Sequence, residues 1–327
     1  MEKMTPRERG LAFYKHQPTD ELPTDNDLYV LFNPEAYDER PDHTKGGTDW
    51  FGVDWKYEAS VDAIAPDHTQ DPIMEDICDW RECVKFPDLD AWDWSKVEEI
   101  DHLSEVDRNK VFVMMFVNGP FERLHMLMGF ENALCSLLTD PEEVEEYLNV
   151  YMEWKIKLME KVIEIYKPDV LMFHDDYGTQ TGMFFSPDIW RELFKPQLQK
   201  AVDRCHELGT LFELHSCGKI EEIVPDFVEM GIDSWQGMEI NDVAKLKKVT
   251  KDKLSYHMTP DYQKYYTESL AAGKVDEQAI REDVRKILYP NAEGYCYSPM
   301  FLPFGGESSD IMWDEIWTDG KTIYQTA

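Results

Sequence analysis

From about residue 110 to its end the chain repeats one unit: a short apolar run, a turn, then an amphipathic helix. The runs are residues 111–117, 169–174, 211–215, 232–236, 254–257 and 295–297. Each is bounded by turn residues and too short for a buried helix, so each reads as a strand covered on both faces. The helices between them announce their ends. Thr139-Asp140-Pro141-Glu142 opens one that runs through Leu148, Tyr151, Trp154 and Leu158 to about Tyr166. Ser186-Pro187-Asp188 opens a second, in which Pro196 predicts a kink or a break and Gly209 a left-handed end; Ile220 to Met230 forms a third, closed by Gly231.

Strands alternating with helices at this spacing predict a parallel sheet with helical crossovers, either doubly wound or closed as a (β/α)8 TIM barrel. No G-x-G-x-x-G or G-x-x-x-x-G-K-[ST] follows any strand, which removes the nucleotide-binding form of the doubly wound fold and leaves the barrel ahead. Residues 1–105 are rich in Asp, Pro and Trp, as in Trp50-Phe51-Gly52-Val53-Asp54-Trp55, and no Gly- or Ser-rich linker follows them. They read as an N-terminal elaboration on a main barrel of 106–327, within a single domain of 1–327.

Composition narrows the partners. Asp and Glu number 66 against 33 Lys and Arg, a net charge of -33 that excludes nucleic acid and anionic membrane surfaces. No apolar run approaches the roughly 20 residues of a membrane span, and the charged first residues are unlike a secretory signal, so the expectation is a cytoplasmic protein whose six cysteines are thiols. A cysteine with a special role is then a metal ligand or a nucleophile.

In a parallel barrel the chemistry gathers at the carboxyl ends of the strands. Asn118 closes one run; His174, Asp175, Asp176 and Tyr177 another; His215 and Cys217 a third; Gln236 and Glu239, His257 and Cys296 the rest. In Glu213-Leu214-His215-Ser216-Cys217-Gly218, strand alternation puts Glu213, His215 and Cys217 on one face, a half-site for zinc or else a plain buried pair. His257 and Cys296 are the candidates to complete it, with Glu213 one layer deeper. His174-Asp175-Asp176-Tyr177 reads either as a capped turn or as a general acid and hydrogen-bonding clamp. Trp235 and Phe184-Phe185 are candidate stacking surface or simple packing. His125 and His206 read as structural or solvent-facing, and Met114, Met115, Met126 and Met128 as core.

Taken together, Met4-Thr5-Pro6-Arg7-Glu8-Arg9, Gly119-Pro120-Phe121-Glu122-Arg123, His174 to Gln180, Ser186-Pro187-Asp188-Ile189-Trp190-Arg191 with Lys195-Pro196, and His215-Ser216-Cys217-Gly218 resemble the uroporphyrinogen decarboxylase superfamily, specifically its corrinoid-dependent methyltransferase branch. The resemblance implies a (β/α)8 barrel. The decarboxylases carry an Arg-Gln-Ala-Gly-Arg motif for a polycarboxylate, where this chain has Leu28-Tyr29-Val30-Leu31-Phe32-Asn33-Pro34. The methyltransferase branch holds zinc with His-x-Cys and a later Cys. His215 and Cys217 match the pair; the later Cys falls at Ser298-Pro299-Met300-Phe301, with Cys296 out of register and His257 as the substitute.

Members with three strong ligands activate a thiol, so the weaker set here points to a small methoxylated aromatic donor, as in similar O-demethylases. The implied methyl acceptor is the Co(I) corrinoid of a separate corrinoid protein. The implied roles are catalytic for Asp175, Asp176 and Tyr177, and substrate-binding for Asn118, His174, Gln180, Trp235 and Gln236. A porphyrinogen-type decarboxylase, a methylcorrinoid:thiol methyltransferase and a silent binding partner of a corrinoid protein are the alternatives. Oligomeric state is left unassigned.

Overall fold

The computed structural model describes residues 2–31, 34–59, 63–260, 275–300 and 307–325. Seven of its strands form one curled, wholly parallel sheet: β1 (Leu28–Leu31), β5 (Val111–Phe116), β6 (Val170–His174), β7 (Leu211–His215), β8 (Ser234–Met238), β9 (Ser255–Thr259) and β10 (Tyr297–Pro299), paired in that order. The other three, β2 (Gly46–Thr48), β3 (Asp54–Glu58) and β4 (Ala63–Pro66), form a small antiparallel sheet. The architecture is therefore α/β and barrel-like. Among the described residues no eighth strand pairs β10 to β1, although Ser298 Oγ donates to the Pro23 carbonyl at 3.1 Å and so ties the last strand to the segment before the first.

The apolar runs became strands, with β8 and β10 starting two residues later than expected. For β10 the reason is backbone conformation: Tyr295 and Cys296 both take positive φ, 66° and 53°, so pairing begins only at Tyr297. β1 was not among the anticipated runs. It pairs with β5 from Leu28↔Val111 to Leu31↔Met114, so part of the first 105 residues lies inside the main sheet. The Pro6–Tyr14 helix begins at a Thr5–Glu8 capping box and packs beside β1 and β5. Gly10 approaches β5 so closely that a Cβ would lie 2.6 Å from Val111 Cγ2. Arg7 forks onto Asp169 with two contacts of 2.6 Å, and Ser255 Oγ donates to the Phe13 carbonyl at 2.5 Å. Phe13 and Tyr14 then fill the interior against Val111, Val113, Val170 and Met172.

The helix boundaries follow their local chemistry. Pro141–Tyr166 is one 26-residue helix. Ser186 Oγ caps the next through the Ile189 N–H, and Trp190–Phe194 is wound as a π turn leading into Lys195–Glu207. Pro196 lacks an N–H to give, which is why the kink expected there appears as this wider turn. Gly209 and Gly231 take φ of 82° and 79°, the left-handed ends their sequence positions call for.

Candidate functional site

β6 and β7 end side by side, with His174 in register with His215. The two imidazoles stack, ring centres 4.1 Å apart and planes within 14°. Two residues beyond each strand end come Asp176 and Cys217, which alternation leaves on the same side as the histidines. Cys217 Sγ lies 3.3 Å from His215 Nε2, and Asp176 Oδ1 lies 3.6 Å from the same nitrogen while accepting the Cys217 N–H at 2.6 Å. One ligand atom from each of His174, Asp176 and His215 falls within 4.8 Å of the others. Two imidazoles and a carboxylate, with a thiol beside His215, are donors that suit zinc.

The surroundings prepare these groups. On β8, Gln236 is in register with His215 and offers its Oε1 to His215 Nδ1. An amide oxygen only accepts, so Nδ1 keeps the proton and Nε2 turns its lone pair toward Cys217 and Asp176. Burial, together with the neighbouring His174, lowers the His215 pKa to about 4, which keeps the ring neutral and able to ligate. Burial pushes the Cys217 thiol up, with Asp176 and Glu122 adding to it, so metal binding there releases a proton.

His174 is treated differently. Burial disfavours its charge, but Glu122 Oε1 at 2.8 Å from Nδ1, with Asp176 nearby, raises its pKa. The contact is an ion pair rather than an aligned hydrogen bond. Glu122 in turn is held as a carboxylate, at about 2 despite its burial, by His174 and Arg40, whose Nη2 is 3.6 Å away.

The anticipated residues separate into those that reach this cluster and those that do not. His174, Asp176, His215, Cys217 and Gln236 meet in it. Asp175 points the other way, where it accepts the N–H of Phe121 (3.2 Å) and Glu122 (2.8 Å) and the hydroxyl of Tyr177 (2.5 Å). It therefore anchors the start of the Pro120–Met128 helix, and a Cβ on Gly119 would sit 2.3 Å from its own. Tyr177 is enclosed by Phe121, Phe185, Trp190 and Phe194. Asp175 and Tyr177, expected to be catalytic, thus lie toward the helix start and not in the cluster.

Trp235 is likewise buried away from the cluster, between Phe227 and Tyr256, with Nε1 on the Ser216 carbonyl. Asn118 is fully buried, accepting from Arg40 Nε at 3.0 Å. Gln180 is exposed in the loop after β6.

Neither remaining metal candidate joins the set. Cys296 precedes β10 and lies beside Ser255, the first residue of β9, so it is at the opposite end of the strands from Cys217. His257 is in register with Gln236, but tilted strands place a register partner two strands along about one layer deeper. It meets Glu213 there, Nδ1 to Oε2 3.4 Å, and Asp25, Nε2 to Oδ1 3.3 Å.

Burial disfavours the charge on His257, yet Glu213 and Asp25 outweigh it and raise the pKa to about 10. A group raised from about 6.5 to that value contributes stability in full below pH 6.5 and loses it as pH rises through 10. The unfolding free energy is expected to fall across that window by a few kcal/mol more in the wild type than in His257→Gln. Parallel pH profiles for the two proteins in urea melts would refute the pairing.

Glu122 and Arg123 stand in a motif that gives neither a role; Arg40, Glu39, Asp49 and Lys155 carry no sequence signal of their own. Arg123 contacts Asp49 at 2.6 Å and Glu39 at 3.3 Å, and Lys155 contacts Glu39 and the Val117 carbonyl. These fix the segment bearing Arg40 to the ends of β5 and its following helix.

A family model described as uroporphyrinogen decarboxylase (URO-D) matches residues 49–262. Among solved structures, a methyltransferase from Methanosarcina mazei superposes with a TM-score of 0.67 at 15% identity over 99% of both chains. An archaeal fructose 1,6-bisphosphate aldolase overlaps 51% of this chain and 62% of its own, at 10% identity and a TM-score of 0.32. Comparison with curated protein sequences gives no match.

Proposed function

We propose, for a chain that belongs to the uroporphyrinogen decarboxylase family, that it is a methyltransferase moving a methyl group from a small methoxylated, aromatic donor to the Co(I) corrinoid of a separate protein. The observation that carries this reading is the convergence of His174, Asp176 and His215 at the carboxyl ends of β6 and β7, with the Cys217 thiol against His215. The fold-level likeness to a methyltransferase agrees with it. Against the decarboxylase alternative stands β1: in the stretch that replaces the arginine motif, Leu28–Leu31 form an apolar strand of the sheet and supply no cations for a polycarboxylate.

In the reaction the methyl carbon–oxygen bond breaks, the methyl carbon bonds to the acceptor, and the oxygen departs with the electron pair and takes up a proton. A zinc ion held by His215, Cys217 and Asp176, with His174 joining them on loss of its proton, would supply a Lewis acid for that oxygen. The chain's own part is positional. Gln236 fixes the His215 ring and its tautomer, Glu122 holds His174 against His215, and the Asp176 carboxylate clamps the Cys217 backbone so that thiol and imidazole converge. Among the described residues no helix is long and apolar enough to cross a membrane. A cytoplasmic enzyme whose acidic surface steers a basic face of the corrinoid protein fits this chemistry, and its association rate would fall with added salt.

The test is an absorbance assay of Co(I) corrinoid with methoxybenzene, a thiol and uroporphyrinogen as separate partners. Consumption of Co(I) with release of phenol is expected from the ether. Decarboxylation of the tetrapyrrole, or methyl transfer only from methylated corrinoid to thiol, would replace this reading with one of the alternatives.

A further inference from the structure

Beyond the ends of β6 and β7 the two following loops continue to bind each other. The Tyr177 N–H donates to Ser216 Oγ at 3.1 Å, and the Lys219 N–H to the Thr179 carbonyl at 2.8 Å. Between these bonds Gly178 and Gly218 cross backbone to backbone. A Cβ on Gly218 would run into the Gly178 carbonyl, and Gly218 takes a φ of 88°, so a side chain is excluded there on both counts. The Cys217 N–H on Asp176 adds a third tie. The loops that carry Asp176 and Cys217 therefore shift together or not at all.

One side chain fastens this pair of loops to the next strand. Asn241 lies just past β8 and is 3% exposed. Its Oδ1 accepts the Ile220 N–H at 2.9 Å, and its Nδ2 donates to the Gly218 carbonyl at 3.0 Å and the Met238 carbonyl at 2.9 Å. Two carbonyls and one N–H use both amide hydrogens and the amide oxygen, which also fixes which way the amide faces. Asp could not donate to the two carbonyls, and Leu has the shape without the polarity. Burial keeps water from restoring the lost bonds, so either change leaves backbone groups unpaired. Among the described residues Asn241 hydrogen-bonds to none of His174, Asp176, His215 and Cys217. What it grips is the segment immediately after Cys217, and it grips that segment to β8, whose Gln236 holds His215.

We infer that Asn241 is a positioning residue of the metal centre: through the backbone of residues 218–220 it fixes where the Cys217 thiol stands beside His215 and Asp176. The inference rests on the metal reading of that cluster given above. Lys247 supplies the comparison. It too is buried and serves three backbone groups with one side chain, donating to the carbonyls of Asn291 at 2.7 Å, Glu293 at 2.5 Å and Tyr295. It does so just before β10, at the opposite end of the strands from Cys217. Loss of either side chain should weaken the fold, and only loss of Asn241 should disturb the metal.

Titration of the metal-free full chain with Co(II), followed by the thiolate-to-cobalt charge-transfer absorbance, tests the inference without turnover. The wild type is expected to bind Co(II) and show the band. Asn241→Leu should bind it about 10- to 100-fold more weakly, the range for a group that orients a metal ligand, and should show a weaker band at saturation. Lys247→Met should lose stability in urea while keeping the wild-type affinity and band. Gly178→Ala pushes the same segment from the other side, because its Cβ would stand 2.8 Å from Ile220 Cγ2 and 3.1 Å from the Lys219 nitrogen. It should weaken the band as Asn241→Leu does, and it carries the test if Asn241→Leu does not fold. A wild-type affinity and band in folded Asn241→Leu or in Gly178→Ala, or an equal loss in Lys247→Met, would overturn the inference and leave the metal reading standing. A wild type that takes up no Co(II) would fail the metal reading itself, and the inference with it.

Discussion

His215→Ala is expected to lower methyl transfer by about 10²- to 10³-fold or more, the range seen when one group acting on a developing oxyanion is removed. Cys217→Ser should fall in the same range, because each change leaves an incomplete metal site. Gln236→Leu leaves the ligands in place but frees the His215 ring and its tautomer, so its loss should be nearer 10- to 100-fold. Single-turnover rates with an aryl methyl ether and Co(I) corrinoid measure all three. Asp175→Asn and Tyr177→Phe act at the helix start and should show mainly as lost stability. If Gln236→Leu proved harmless while Tyr177→Phe abolished turnover, the two faces of the β6 end would have been assigned the wrong way round.

Arg123→Met should cost about 3–5 kcal/mol of folding stability, since removing one partner of a buried ion pair leaves the others uncompensated. Arg123 is fully buried, over Phe51 at 4.4 Å and between Asp49 and Glu39, and Lys155 remains to serve only Glu39. The change also loosens the segment that carries Arg40, whose Nη2 faces Glu122. Arg81 is the natural control. Its contacts with Glu143 and Glu146 are exposed, and Arg81→Ala should give little or no measurable change. Urea unfolding of the two variants decides it: losses of similar size would mean that the buried cluster contributes no more than a surface pair.

Much of this site is legible in the sequence. Alternation along β7 was enough to pair His215 with Cys217, and β7 itself spans the expected residues. The same rule applied past β6 separates His174 and Asp176 from Asp175 and Tyr177, and on β8 it separates Gln236 from Trp235. Both signals were present at period two. What was not legible is depth and register. His257 looks equivalent to His215 in sequence, and only the tilt of the strands sends it down to Glu213 and Asp25. Arg40 and Glu122 lie 82 residues apart in the chain and meet only because buried charges seat one segment on the other. β1 was hidden for a compositional reason, four apolar residues within an Asp- and Trp-rich stretch that otherwise forms turns.

A metal at His174, Asp176, His215 and Cys217 is expected to be required for methyl transfer. The direct measurement is the single-turnover loss of Co(I) absorbance with an aryl methyl ether, made on the purified protein, after exhaustive chelation, and after one equivalent of zinc is restored. The prediction is that chelation stops the reaction, zinc restores it in the wild type, and zinc fails to restore it in His215→Ala. An undiminished rate in chelated protein shown to be free of metal would contradict the account.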